Sequence, residues 1–324
     1  MARIPAPVAA VRRAVRRSLA ELPAGALVLV ACSGGPDSMA LAAATATVVR
    51  RLRLRAGLIT VDHGLQQGSA DRAAAVAAWA RGAGFDPVEV ATVDVAGLPG
   101  GPEAAARTAR YAALTAAAER YSVAAVLLGH TRDDQAETVL LALARGAGPR
   151  GLAGMPYRKG PLLRPLLDVG RADTSKACAA LGLAVWTDPH NTDPAYARSR
   201  VRAGALPALI AALGPAVVDN LARTAGQLAA DTAALDGLAA AALAGARTGD
   251  GGLSITALAG LPDAVRTRVL HAWAGELGAS GSALSHRHVA ALDALVVDWH
   301  GQGPTALPGG IVVARRAGDL VRVT

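Results

Sequence analysis

The 324-residue chain is 52% hydrophobic but only 3% aromatic, with a formal net charge of +8. This excludes a disordered or collagen-like chain and leaves room for one large domain plus a smaller one, with cores built mainly from Ala, Leu and Val. No uninterrupted apolar run reaches the ~20 residues that span a bilayer, so a cytoplasmic location without a membrane partner is expected.

The segment "MARIPAPVAAVRRAVRRSLAELP" reads as an amphipathic helix: Val8, Val11, Val15 and Leu19 recur at helical spacing against an arginine face. No continuous hydrophobic stretch follows, so it is not a signal peptide. Four short apolar runs then predict strands, "ALVLVAC" (26–32), "AGLITVD" (56–62), "PVEVATV" (87–93) and "VAAVLLG" (123–129). Helical stretches near 38–53, 69–83, 103–121 and 133–144 separate them. Such alternation predicts an α/β fold, a parallel sheet with helices on both faces, Rossmann-like in type. Ligands in these sheets bind beyond the carboxyl ends of the strands. The polar clusters "SGGPDS", "DHG" and "GHTRDD" each follow a strand directly, so all three converge on that edge.

Residues 146–170 read as loop, rich in Gly and Pro, and a helix is predicted near 171–182. A domain boundary is placed at Gly214–Pro215, giving 1–214 as the larger domain and 215–324 as a smaller, mixed α+β one. The second part is expected to hold a long Ala/Leu helix to about Ala246, helices near 262–277 and 285–297, and a terminal antiparallel strand pair. Charge divides at the same place: residues 1–215 carry 25 Lys/Arg against 16 Asp/Glu, and residues 216–324 carry 8 against 9. A basic N-terminal part favours a polyanionic partner, of which nucleic acid is the commonest.

In "SGGPDS", Gly34 and Gly35 allow a sharp bend and close approach to a ligand, and Pro36 opens the helix. The hydroxyls of Ser33 and Ser38, with the free N–H groups of the first helical turn, would face a phosphate. Asp37 beside phosphates needs a bridging cation, and Mg2+ suits that task; the alternative is a first-turn acid favoured by the helix dipole. Asp62 and His63 end the second strand beside the loop, where an adenosine would lie. Asp134 and Glu137 are three apart and project from one helix face, an arrangement suited to an ammonium group. The bland alternative, with Asp133 included, is an acidic helix N-terminus. The two cysteines, Cys32 and Cys178, form no CxxC pair and read as small buried hydrophobes.

The loop resembles that of the PP-loop ATP pyrophosphatases, which cut ATP between its α and β phosphates and need no Walker-type lysine. The succession "SGGPDS", "VDHGL", "EAAARTARYAAL", "GHTRDDQAETVLLALARGAGPRGLAGM", "LLRPLLD" and "DPHNTDPAYARSRVR", over residues 26–210, resembles the bacterial tRNA(Ile)-lysidine synthetase family. The terminal "LPGG" is similar to the end of that family's substrate-binding region.

The resemblance implies a ligase that forms a carbon–nitrogen bond and converts ATP to AMP and diphosphate. It would make 1–214 the ATP-binding catalytic domain and 215–324 the tRNA substrate-binding domain. It would adenylate O2 of the wobble cytidine in an isoleucine tRNA with a CAU anticodon, then substitute free L-lysine at C2 to give lysidine. It implies that Ser33, Gly34, Gly35, Pro36, Asp37 and Ser38, with Asp62 and His63, bind ATP, and that Asp37 carries the magnesium. Either Arg107 or Arg110, from "RTARY", would act at the α-phosphate. Asp134 and Glu137 would bind lysine, and Arg198, Arg200 and Arg202 would meet tRNA or ATP phosphates. Ser199 replaces the family's usual Asn, leaving that contact open. A homodimer is compatible with these motifs. The other readings are a tRNA-thiolating relative or a non-catalytic tRNA- or nucleotide-binding protein.

Overall fold

The computed structural model describes residues 4–64, 68–95, 101–186, 193, 195–279 and 283–323. Parts of two quoted motifs, 65–67 and 187–192, lie outside the described residues. The chain divides into two compact units, Met1–Leu228 and Ala229–Thr324.

In the first unit, helix α1 (Ala6–Leu19) precedes strand β1 (Leu27–Ala31), α2 (Pro36–Leu52), β2 (Arg55–Asp62), α3 (Ser69–Gly82) and β3 (Val88–Thr92). Then come α4 (Gly101–Arg120), β4 (Ala125–Leu128) and α5 (Arg132–Ala144). These follow the expected elements closely, because β1, β2 and β4 are short apolar runs buried on both faces, the edge strand β3 is a partly exposed one, and each helix is long and alanine-rich. The sheet order is β3-β2-β1-β4-β6-β5, with β5 at Arg158–Lys159 and β6 at Leu162–Leu163, and β1 runs parallel to both β2 and β4. The order therefore reverses between β1 and β4, the switch point where such sheets bind ligands.

Alternate strand residues supply the two faces. Val28, Val30, Leu58, Ala125 and Leu127 pack with α1, α2, α3 and α7 (Arg171–Ala180), while Leu29, Ile59, Val126 and Leu128 pack on the α4 residues Leu114, Ala117 and Ala118. Helices thus cover both faces, as the β–α alternation implies.

Segment 146–170 is not all loop. It holds helix α6 (Pro149–Leu152) and a hairpin of β5 (Arg158–Lys159) and β6 (Leu162–Leu163). Strand β6 pairs in parallel with β4, and β5 adds an antiparallel edge. Two-residue strands leave no periodicity to read, which hides them in sequence. Residues 197–213, without an expected helix, form α8 (Ala197–Arg200), a π-helical turn (Val201–Ala205) and α9 (Leu206–Leu213).

Helix α10 (Val217–Ala246) follows the Gly214–Pro215 turn, but its first turns belong to the first unit. Val218 packs with Ala136 and Leu206, and Arg132 pairs with Asp219 at 2.8 Å. The compact units consequently divide inside α10, beyond the turn at Gly214–Pro215. With 30 residues, α10 is also long and apolar enough to cross a membrane by length and composition. Both of its ends contribute to hydrophobic cores, Val218 in the first unit and Ala239, Leu243 and Ala246 in the second.

The second unit adds β7 (Leu253–Ser254), α11 (Ile255–Ala259), α12 (Asp263–Glu276), α13 (His286–Val297), β8 (Thr305–Leu307), β9 (Ile311–Arg316) and β10 (Asp319–Val323). The expected strand pair is the centre of a four-stranded antiparallel sheet ordered β7-β10-β9-β8. Trp273, fully buried, anchors its core, and its indole N–H donates to the Gly251 carbonyl at 3.2 Å.

Candidate active site

The turn from β1 into α2 is a stapled loop. Gly34 has φ +84°, and a Cβ there would meet Val76 Cγ2 at 3.0 Å, so both backbone and space require glycine. Its carbonyl accepts from the Trp186 amide at 2.9 Å. Ser38 holds the loop from inside: its hydroxyl donates to the Gly35 carbonyl at 2.9 Å and accepts from the Ser33 amide at 3.2 Å. Gly35 and Pro36 start α2, whose first-turn amides lack intrahelical partners and lend the loop an anion-attracting dipole. The end of β4 presses on this start, since a Cβ at Gly129 would lie 3.1 Å from Ser38 N.

Asp37 is tied to α7: the Thr174 hydroxyl donates to one carboxylate oxygen, and Arg171 Nε lies 3.9 Å from the other. Burial pushes the Asp37 carboxyl up to about 6, with the charge of Asp134 adding and the Thr174 hydrogen bond opposing.

Asp134 and Glu137 face the same space from α5. Asp134 closes a capping box, with Oδ2 accepting from the Thr131 amide at 2.8 Å, while its Oδ1 turns outward to Arg171 Nη2 at 2.8 Å and Arg202 Nη2 at 3.1 Å. The helix-start reading of this residue is met by one oxygen, while the other is left to the arginines. Glu137, with no exposed surface, accepts from Arg171 Nη2 at 3.0 Å and from Arg202 Nε and Nη2 at 2.8 and 3.1 Å. Arg198 adds Nε at 3.6 Å and donates from Nη2 to the Thr138 hydroxyl at 2.8 Å. Burial works to raise Asp134, but Arg171, the Thr131 amide, His130 and Arg202 outweigh it and leave the carboxyl below its ordinary value.

Arg171 and Thr174 were not singled out in the sequence, yet they join the phosphate loop to the acid pair. Asp133 fixes them, accepting from the Arg171 amide at 2.7 Å and so anchoring the start of α7. An arginine at the first position of a predicted helix, following a Gly that ends "LLRPLLDVG", was the available signal.

Asp62 forms an Asx turn with the Gly64 amide at 2.9 Å, which holds its carboxyl below the usual range. His63 follows it, lowered by burial and then by the charge of Arg110. Arg110 is itself lowered, chiefly by burial, with Arg107 and Arg198 as neighbouring positive charges; its guanidinium lies 5.6 Å from the Tyr111 ring centre. Arg107 is exposed and donates to the Tyr111 hydroxyl at 3.4 Å. His130, at the end of β4, is pushed down to about 3, mainly by burial, and is neutral at pH 7. Arg200 points elsewhere, donating to the Ala195 carbonyl at 2.8 Å, and Ser199 is buried beside it. Cys32 and Cys178 are both buried, as expected, with Cys178 donating to the Pro36 carbonyl at 3.2 Å.

The PP-loop domain family matches residues 9–209, and the TilS substrate binding domain family matches residues 253–321. The tRNA(Ile)-lysidine synthase of Salinispora tropica is 68% identical over 100% of this chain and 98% of its own length. That of Thermobifida fusca is 58% identical over 98% of each. The chain belongs to the tRNA(Ile)-lysidine synthase family.

The fold of this lysidine synthase family member also resembles the solved U34-tRNA thiolase NcsA of Methanococcus maripaludis, described with its 4Fe-4S cluster. The TM-score is 0.57 at 19% identity, over 69% of this chain and 80% of that one. This likeness concerns the fold alone. With two cysteines in the whole sequence, the family member has no set of three or four thiolates for such a cluster.

Proposed function

We propose that the chain is an ATP-dependent tRNA(Ile)-lysidine synthase whose two chemical steps occupy adjacent parts of one sheet edge. The observation that carries this reading is the meeting of the stapled phosphate loop and the Asp134/Glu137 pair at the β1/β4 switch point, bridged by Arg171 and Thr174. ATP enters through the loop, with the α2 N-terminus holding the departing diphosphate. Asp62 and His63 border the nucleoside side.

Magnesium fits Asp37. One buried carboxylate, raised by desolvation, with a hydroxyl donor on one oxygen and its nearest guanidinium 3.9 Å from the other, is suited to a cation shared with phosphate oxygens. The ion would neutralise phosphate charge there.

Arg110 is the better placed of the two arginines for the α-phosphate. Its neighbours are a neutral histidine, an aromatic ring and other cations, so an incoming phosphate meets a preorganised positive charge. Arg107 lies exposed on the Tyr111 hydroxyl. Arg110→Ala is therefore expected to slow AMP release more than Arg107→Ala.

Attack of the wobble cytidine O2 on the α-phosphate releases diphosphate. The lysine amine, oriented from Asp134 and Glu137 through an ammonium group, then displaces AMP at C2. The reaction places the protein in the cytoplasm with its tRNA.

The test is to supply ATP, labelled lysine and either of the two CAU-anticodon tRNAs, isoleucine or methionine. AMP, diphosphate and lysine incorporation only with the isoleucine tRNA support the proposal. ADP release, or turnover without that tRNA, contradicts it.

A further inference from the structure

The acid pair that would receive lysine is already occupied by the chain itself. Arg202 spans it, with its fork on both oxygens of Glu137 at 2.8 and 3.1 Å and Nη2 also 3.1 Å from Asp134 Oδ1. A bidentate fork of this kind is among the stronger charge-assisted contacts. Arg171 takes the remaining approach, and Arg198 stands 3.6 Å from Glu137 Oε2. Two carboxylates thus face three guanidinium groups, one of which, that of Arg171, is also shared with Asp37, and an ammonium would find the oxygens of the acid pair already taken.

The three arginines are not held alike. Arg171 is pinned at the head of α7 by Asp133 on its backbone and stands beside Asp37. Among the described residues, the hydrogen-bond and ion-pair partners of the Arg202 guanidinium are the two acids, and its side chain is 29% exposed. It also sits in the π-helical turn, where the Leu206 amide reaches back to the Val201 carbonyl. Such single-turn insertions interrupt the regular helical ladder and often occur at functional sites.

We propose that Arg202 is a resident substitute for the ammonium of lysine, and that lysine binds only after a phosphate group has drawn Arg202 off Glu137. This rests on the reading of Asp134 and Glu137 as the lysine site. The phosphate comes from ATP on the adjoining loop or from the tRNA backbone. With Arg202 withdrawn, and Arg198 following, oxygens of Glu137 and Asp134 are freed for one ammonium. Adenylation then precedes lysine entry, which protects the activated intermediate from an amine bound too early in the wrong place.

Equilibrium binding of labelled L-lysine tests this without turnover. Wild-type protein alone is expected to bind lysine at least tenfold more weakly than the same protein with a non-hydrolysable ATP analogue and magnesium, or with isoleucine tRNA. Whichever addition restores binding names the phosphate source. Arg202→Ala alone should bind lysine at least tenfold more tightly than wild type alone. Arg202→Lys, which keeps a tethered cation, should restore the block. Equal lysine affinity in all wild-type states overturns the proposal, as does no gain in a folded Arg202→Ala. If Arg202→Ala does not fold, the wild-type and Arg202→Lys arms still decide. Glu137→Gln separates the two claims: lysine binding that ignores this change refutes the lysine site, whereas binding that needs Glu137 but ignores Arg202 refutes only the block.

Discussion

Two arginine–carboxylate clusters, one in each unit, show opposite charge balances. In the second unit Arg266 has a side chain 5% exposed and is met by Asp293 at 2.7 Å, Asp263 at 2.8 Å and the Leu261 carbonyl at 2.9 Å. One buried cation has two anions. In the first unit a fully buried Glu137 and its neighbour Asp134 face three arginines that are 23–29% exposed. The first arrangement buries the arginine and satisfies it, so it ties α12 to α13 and stays. The second buries the acid and leaves its cations at the edge of solvent, where an anion can compete for them. What separates the two is which charge is buried and which is in excess: the tie buries its cation between two anions, and the other site buries its acids under partly exposed cations.

The largest expected effect tests the fixed tie. Arg266→Ala leaves Asp293 without its partner and should destabilise the second unit by about 3–5 kcal/mol, the cost of breaking a buried pair. Thermal unfolding should show this loss while ATP binding to the first unit persists. If the loss is below about 1 kcal/mol, the range of exposed pairs, the contrast between the clusters fails.

The next effect has the opposite sign. Asp37 is a buried acid whose folded carboxyl titrates near 6, against an ordinary value of 3.8. The folded state holds the proton to a higher pH than the unfolded one, so stability falls as pH rises from about 4 to about 6 and stays lower above. Asp37→Asn should consequently raise stability at pH 8 by about 3 kcal/mol in the absence of nucleotide and metal. The gain should vanish below about pH 4, where both states are protonated. Denaturant unfolding at the two pH values checks this, and a variant that is destabilised at pH 8 contradicts it. The smallest effect concerns Arg198. As a partly exposed member of a cation-rich cluster it should cost less than about 1 kcal/mol when changed to Met. A larger loss in thermal unfolding would show that it is part of the scaffold after all.

Much of this arrangement is legible in the sequence, for a physical reason. Strands buried on both faces appear as apolar runs, and the three polar clusters follow them, so "SGGPDS", "DHG" and "GHTRDD" can be placed on one edge before any coordinates. The tie between Arg171, Thr174 and Asp37 is not legible, because contacts across 134 and 137 positions leave no local pattern. The same holds for Arg202, whose basic neighbourhood reads as a phosphate-facing turn although the side chain lies on Glu137. The helical segment carrying it is not legible either, because its residues, "ARSRVRAGALPALIAAL", combine arginines, a glycine and a proline near the π-helical turn. The strands β6 and β7 are too short to show a period.

The most direct measurement compares AMP release with lysine incorporation, side by side, in two variants given isoleucine tRNA. Asp37→Ala should lose both, because activation of the tRNA fails. Glu137→Gln should keep AMP release and lose lysine incorporation, regaining part of it at raised lysine. Equal loss of AMP release in the two variants would contradict the assignment of activation to the phosphate loop and lysine capture to the acid pair.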